Sequence, residues 1–293
     1  MTVHQMFHVK HRRTGNKPAI SRSSPRAGAV LAVLLLAGCS APKDKAQATA
    51  TASTGAGSEA SAAASAKPAA VAFADNAEQD GGTREFAYKW PAAVSAIPAL
   101  AERLAADRDK ALAEQKADWA GALAEFPGED CISCKNLSFA KEWKVVTDLP
   151  RYLSLSADIY LYTGGAHGNS AFETLVWDRE AGTAIKPEAM FTSEAGLQDA
   201  LGDGWCKALK AERIKRIGAD LSDDGFFPCP AIADLTVLLG SSNRKAFNRI
   251  GLIAAPYVAG SYAEGPYEVT LPVTPKVIAA VKPEYKAAFA SGT

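Results

Sequence analysis

Histidine is scarce in this chain, and no apolar run is long. The sequence holds four histidines, and His4, His8 and His11 crowd its first residues. His167 stands alone after them. A site built on several histidine ligands is therefore excluded beyond the N-terminal stretch, as is any mechanism that needs two imidazoles. The most apolar stretch, Ala27 to Leu36, is too short to cross a bilayer as a helix, which takes about 20 residues. There is no Gly-x-Ser-x-Gly elbow to raise a serine nucleophile. There is also no internal repeat and no run of strand–helix–strand alternation.

Net charge is zero, with 32 Lys plus Arg against 32 Asp plus Glu. The balance conceals an asymmetry. The first 38 residues carry Lys10, Arg12, Arg13, Lys17, Arg22 and Arg26 and no acid. Without those six bases, 26 basic residues face 32 acidic ones, a net charge of −6. Such a chain disfavours phosphate, so nucleic acid is not an expected partner. A basic partner would be steered in modestly.

Arg22 and Arg26 precede the short apolar run, which ends in Leu36-Ala37-Gly38-Cys39. The pattern is that of a signal peptide ending in a lipobox, with Cys39 as the acylated residue. Ser40, in place of an aspartate, suits the periplasmic face of the outer membrane. The lipid is then the chain's contact with the membrane. From Ser40 to Ala72 the chain is mostly Ala, Ser, Thr, Gly, Lys and Gln. That composition cannot offset the entropy of ordering, so a flexible tether is expected.

Beyond it, Phe86, Tyr88 and Trp90 alternate with polar neighbours as a strand that Pro91 ends. Pro98 opens a long helix, with Leu100, Leu104, Leu112, Trp119 and Leu123 along one stripe and Pro127-Gly128 as the stop. A strand is expected from Trp143 to Thr147. Leu153 to Tyr162 alternates with period two, and Gly164-Gly165-Ala166-His167-Gly168 joins it to a second strand ending at Trp177. This is an antiparallel hairpin. Ser193 caps a second helix with Leu197, Leu201, Trp205 and Leu209 on one face. Its basic end, Lys210 to Arg216, suits a helix C-terminus and reads as a solvated face. Phe226 to Pro230 is a loop. Leu235–Leu239 and Phe247–Ile253 form another hairpin, Tyr267–Leu271 a last strand, and Thr274-Pro275 opens a last helix. The expected fold is α+β with two lobes, each a long helix packed on antiparallel sheet. The expected divisions are a signal peptide over 1–38, a tether over 39–72, one lobe over 73–150 and a second over 151–293.

Past Cys39, four cysteines remain: Cys131, Cys134, Cys206 and Cys229. An even count in an exported chain reads as disulfides, with three connectivities open. The local pairing Cys131–Cys134 with Cys206–Cys229 is preferred over the crossed ones. The Cys-x-x-Cys lies after a helix and before a strand, unlike a thioredoxin-type redox motif. A zinc site lacks a second tight ligand pair. No metal and no other cofactor are expected.

Histidine in a glycine-rich turn more often fixes the turn or lines a shallow groove than catalyses. Ser170 is near in sequence, and Asp158, Glu173 and Asp178 flank the hairpin, so a hydrolase built on His167 is the alternative. No catalytic set is assigned. The candidate binding residues are Tyr160, Tyr162, Gly164, Gly165 and His167.

The run Tyr160-x-Tyr-Thr-Gly-Gly-Ala-His-Gly168, with Trp177-Asp178, Gly182 and Met190-Phe191, resembles the envelope domain of the RsiV anti-sigma factors. It is similar also to the non-catalytic N-terminal region of the PdaC peptidoglycan deacetylases. Phe86-x-Tyr-x-Trp-Pro91 with its long helix resembles the domain that precedes it there. Pro256-Tyr257-x-x-Gly260-x-Tyr262-x-x-Gly265 and Val269-x-Leu-Pro272 also fit. The resemblance implies a receptor-like envelope domain without deacetylase chemistry, whose ligand is a lysozyme-like protein or peptidoglycan. A structural envelope lipoprotein is the further alternative.

Overall fold

The computed structural model describes residues 67–128, 131–218 and 227–292. The expected signal peptide, Cys39, most of the tether, the first three histidines and Phe226 lie outside the described residues. Everything described belongs to one compact unit.

The first half is built on one sheet. Its strands are β1 (Val71–Ala74), β2 (Ala77–Gln79), β3 (Gly82–Trp90), β4 (Leu137–Asp148), β5 (Tyr152–Tyr162), β6 (Asn169–Asp178) and β7 (Thr183–Ile185). The order is β1-β3-β4-β5-β6-β7, with β2 also on β3. β1 begins inside the stretch read as tether. β4 and β5 pair along most of their length, so the sheet passes through residue 150, where the two expected lobes meet. Every neighbouring pair is antiparallel except β3 and β4. Between those two run α1 (Ala92–Ser95) and α2 (Pro98–Glu125), and a crossover of that length is what parallel pairing requires.

α2 starts with proline in its first turn, where a missing N–H costs nothing. It lays Leu100, Leu104, Gln115 and Trp119 on the sheet. Leu100 and Leu104 meet Phe86, Tyr88 and Trp90 of β3, Trp143 of β4, Leu153, Leu155 and Ala157 of β5, and Leu175 and Trp177 of β6, while Gln115 Nε2 donates to Glu85 O and Trp119 Nε1 to Lys135 O. Two charged side chains of the sheet are buried under this helix, Arg84 of β3 and Lys141 of β4. Lys141 of β4 is 4% exposed, and its Nζ donates to Asp107 Oδ2 at 2.8 Å and Glu173 Oε2 at 2.5 Å.

The second sheet has the order β10 (Tyr267–Pro272), β9 (Arg249–Ala254), β8 (Thr236–Gly240), all antiparallel. α3 (Glu194–Ile217) packs against it, and α4 (Pro275–Ala280) closes the end. α3 is bounded as its sequence indicates. Ser193 Oγ accepts from Gly196 N at 3.0 Å, and Gly218 ends the helix at φ 75°, a left-handed conformation that glycine adopts freely. Leu197, Leu201, Trp205 and Leu209 are buried against Val237, Leu239, Ile250 and Leu252. Burying each such side chain contributes about 1.5–3 kcal/mol.

The two sheets meet on the reverse face of β5. Tyr152 belongs to the second core, with its ring 5.8 Å from that of Phe247, and Ser154 is 1% exposed. Alternation places Asp158 and Tyr160 on this same face, yet both are exposed. The second sheet therefore covers the start of β5 and leaves its end, beside the hairpin turn, open.

Candidate functional site

The turn between β5 and β6 is built from glycine for two different reasons. Gly164 and Gly165 have φ of 91° and 98°, values that other residues rarely adopt. Gly168 instead yields space, since a Cβ there would stand 2.3 Å from the hydroxyl of Tyr160, whose ring lies across it. Tyr162 Oη donates to Gly165 O at 2.9 Å and closes the turn. His167 is exposed, with Nδ1 2.8 Å from Gly168 O and Nε2 3.3 Å from Tyr257 Oη.

Tyr257 comes from the connection between β9 and β10, ninety residues away. The His167 ring stacks on Tyr262 with centroids 3.8 Å apart and planes 19° apart. Tyr257 flanks both, at 6.5 Å from His167 and 5.7 Å from Tyr262. Tyr257 is 53% exposed and has φ of 72°. A left-handed conformation costs a non-glycine residue about 1–2 kcal/mol, and here it belongs to a turn that Val258 N closes on Ala255 O at 3.0 Å.

The rest of the connection is held by groups from α3 and from the connection itself. Arg213 is buried, and its Nε and Nη2 donate to Ala259 O at 3.1 and 2.6 Å. Arg216 Nη1 donates to Glu264 O at 2.6 Å and Pro266 O at 2.8 Å, and its guanidinium lies 4.1 Å from the Tyr267 ring. The basic end of α3 is thus a clamp and not merely a solvated face. Glu264 accepts from Ser261 N at 2.7 Å and from Tyr267 Oη at 2.5 Å. Burial raises the Glu264 pKa, but the hydrogen bonds from Tyr267 and Ser261 outweigh it and leave it below the ordinary glutamate value. Burial first, and then the bond to Glu264, push Tyr267 up to about 12. Gly260 yields space to this group, since a Cβ there would lie 2.7 Å from the Glu264 carboxylate.

Beside the rings runs an open groove of about 370 Å³, with Tyr160 and Phe172 in its wall and Glu142, Asp158 and Glu268 around it. Pro266 carries the β9–β10 connection onto its rim. Tyr160 is 42% exposed.

The carboxylates that flank the hairpin are engaged elsewhere. Asp158 pairs with Lys144, Glu173 with Lys141, and buried Asp178 with Arg151. The Arg151 hydrogen bond, opposed by burial and aided by the Glu180 and Ala181 amides, lowers the Asp178 pKa. Among the described residues no carboxylate and no serine hydroxyl is hydrogen-bonded to His167. Among them, too, no group of three or more His, Cys, Asp and Glu is arranged to hold a metal ion. The cysteines come together in the local pairs, with sulfurs 2.04 Å apart for Cys131 and Cys134 and 2.00 Å for Cys206 and Cys229.

Of the five binding candidates, Tyr162, Gly164, Gly165 and His167 form the turn and Tyr160 the adjoining groove wall. Tyr257 and Tyr262 were not singled out by chemistry. Their signal in the sequence is the Pro-Tyr-x-x-Gly-x-Tyr-x-x-Gly spacing.

Comparison with known proteins places this geometry in context. Residues 78–170 match the family described as Deacetylase PdaC, so this stretch is PdaC-like, and the match reaches the start of β6. Two solved structures are similar to the chain. One is a DUF3298 family protein from Pseudomonas aeruginosa PAO1, 18% identical, covering 76% of this chain and 97% of its own, at a TM-score of 0.49. The other is a DUF3298 family member from Bacteroides fragilis, 15% identical, covering 70% of this chain and 89% of its own, at a TM-score of 0.44. No curated protein matches the chain significantly.

Proposed function

We propose that this PdaC-like chain is a binding protein of the cell envelope, anchored through a lipid on Cys39 at the periplasmic face of the outer membrane. Its recognition face is the hairpin turn with the β9–β10 connection, and its ligand is a lysozyme-like protein or peptidoglycan. The observation that carries the reading is Tyr257. An exposed aromatic residue sits at positive φ in a turn that Val258 N closes on Ala255 O, on a connection that two arginines and a glutamate tie down further along, and strain maintained at a solvent-facing ring marks a surface kept for contact. Tyrosine and its neighbours supply large contact area with little side-chain entropy to lose. Glu142 and Glu268 in the adjoining groove suit a basic protein.

The matched family is described as a deacetylase, but binding is preferred here to catalysis. Nδ1 of His167 faces the Gly168 carbonyl and Nε2 the Tyr257 hydroxyl, and among the described residues no carboxylate or serine hydroxyl is bonded to either to complete a catalytic pair. The test uses the full chain, hen-type lysozyme, purified peptidoglycan, and the variants Tyr257→Ala and His167→Ala. Saturable binding to either ligand, weakened about tenfold or more in both variants, is expected. Binding to neither overturns the reading. So does muropeptide turnover that His167→Ala abolishes, which would make the chain a hydrolase. Mass spectrometry of the mature N-terminus tests the lipid on Cys39.

A further inference from the structure

The hairpin turn rests on a second small loop that the recognition face does not include. Gly164 sits so close to this loop that a Cβ would lie 3.1 Å from Ser133 O and 3.2 Å from Cys134 Cα. The loop is the short helical turn Ser133–Lys135, and the two sulfurs of Cys131 and Cys134 close it.

Its two ends are held very differently. From Lys135 onward it is clamped to the body. Trp119 Nε1 donates to Lys135 O at 2.9 Å. The buried Lys135 ammonium donates to Asp80 O at 2.6 Å and to Gly128 O. Asn136 Oδ1 accepts from Thr83 N and Thr83 Oγ1 at 3.0 Å each. Residues 131–134 have no such anchor among the described residues. They hold to the loop's own turn bonds, Cys134 N to Cys131 O at 3.2 Å, Lys135 N to Ile132 O at 3.1 Å and Asn136 N to Ser133 O at 3.3 Å, and to the sulfur–sulfur link. Ile132 is 54% exposed, and Cys131 and Cys134 are half-buried, so a reductant can reach the pair. Cys206 and Cys229 are half-buried too, but they pack against the second core and close a longer segment.

We propose that Cys131–Cys134 is a thiol–disulfide exchange site whose reduction frees the hairpin turn. The co-reactant is a dithiol, such as a reductase of the envelope. Its thiolate attacks one sulfur, the Cys131–Cys134 bond breaks, and a mixed disulfide forms. The second donor thiol then releases the chain. Two electrons and two protons end on Cys131 and Cys134, and the donor leaves as its own disulfide. Ser133 and Cys134 then no longer form a fixed floor under Gly164, and the turn that carries His167 gains freedom. The site thereby couples envelope redox state to the order of the turn. Its effect on ligand binding rests on the functional reading above.

The experiment titrates the full-length chain in detergent with dithiothreitol. Thiols are located by alkylation and mass spectrometry, and amide exchange is followed by deuterium uptake. Cys131 and Cys134 are expected to become alkylated at lower reductant than Cys206 and Cys229. Exchange over residues 163–168 should rise about tenfold, while β8 and β9 stay protected. The double variant Cys131→Ser, Cys134→Ser should show the same fast exchange without reductant. Release of Cys206 and Cys229 first, or an unchanged turn after Cys131 and Cys134 are reduced, overturns the proposal. Lysozyme and peptidoglycan binding form a separate arm. If the oxidised chain binds neither, the functional reading fails while exchange still decides the latch. If it binds one and reduction leaves the affinity unchanged, the coupling to recognition is overturned.

Discussion

Glu264 is the residue on which the shape of the recognition face can be tested most sharply. Its carboxylate accepts from Ser261 N at 2.7 Å and Tyr267 Oη at 2.5 Å. Hydrogen bonds to charged groups contribute about 1.5–3 kcal/mol each when shielded. This site is half open, so Glu264→Ala should cost about 2 kcal/mol for the two together. Gly260→Ala attacks the same carboxylate from the other side. The new Cβ would stand 2.7 Å from Oε2, where ordinary contact begins at 3.4 Å, and the pinned carboxylate has to retreat. Overpacking of this kind costs about 1 kcal/mol. In the Glu264→Ala background the obstacle is gone, so Gly260→Ala should then cost almost nothing. The cycle should return a coupling of about 1 kcal/mol, read from urea midpoints at constant slope. The pH dependence follows the same group. Its folded pKa is depressed, so its stabilisation is present above the unfolded value of about 4.3 and is lost as pH falls through the lower folded value. The native chain should therefore lose stability more steeply below about pH 4 than Glu264→Gln does. Both variants should also weaken the ring-current shift that Tyr262 imposes on the His167 protons. Strictly additive costs, with coupling below about 0.3 kcal/mol, would refute the claim that this carboxylate sets the connection.

Other substitutions probe other parts of the argument. Lys141→Met keeps the buried stem but removes the ammonium shared by Asp107 and Glu173. Those carboxylates are 42% and 38% exposed and can rehydrate, so the loss should be about 2 kcal/mol rather than the 3–5 of a fully buried pair. Burial raises the Asp107 pKa, but Lys141 and Tyr88 lower it further, so the acid limb below about pH 4 should flatten in this variant. Arg151→Ala should lower the melting temperature at pH 7, since buried Asp178 keeps only the Glu180 and Ala181 amides. Because the Asp178 pKa is depressed, that penalty should fade as pH drops through its folded value. Gly168→Ala should shift stability by less than about 0.5 kcal/mol, because the exposed Tyr160 ring can swing away. It should nevertheless weaken ligand binding, because the groove loses its wall.

Much of the fold was legible because its strongest elements are amphipathic in a single period. Leu153 to Tyr162 alternates without a break, and α3 carries Ser193 and Gly218 at its two ends. Where a residue contradicts its place, legibility fails. β4 begins at Leu137, six residues before its expected start, because Lys141 points inward and a lysine reads as surface. β1 and β2 are four and three residues long, too short for a period to show. The parallel pairing of β3 with β4 is carried by no local signal at all. It follows from the length of α2, which permits a crossover without announcing one.

The site divides in the same way. Two glycines in a row before His167 locate the turn, since few other residues reach φ near 90°. Nothing near His167 in sequence points to Tyr262, because stacking across 95 residues is a product of how two sheets meet. Even the clamp was hidden by its composition. Lys210 to Arg216 has the charge that any exposed helix end carries, and only burial separates Arg213 from its neighbours. Arg213 and Arg216 emerge from one helix end three residues apart, hence on one side of it, and both reach carbonyls of the same connection. A helix that merely needed solvating would not bury a guanidinium there, since a buried charge is tolerated only when its donors are satisfied. The arginines are therefore best understood through Tyr257. They tie down the part of the connection that follows its turn, and any ligand of this face should lose affinity when that anchorage is lost, even where it touches neither arginine.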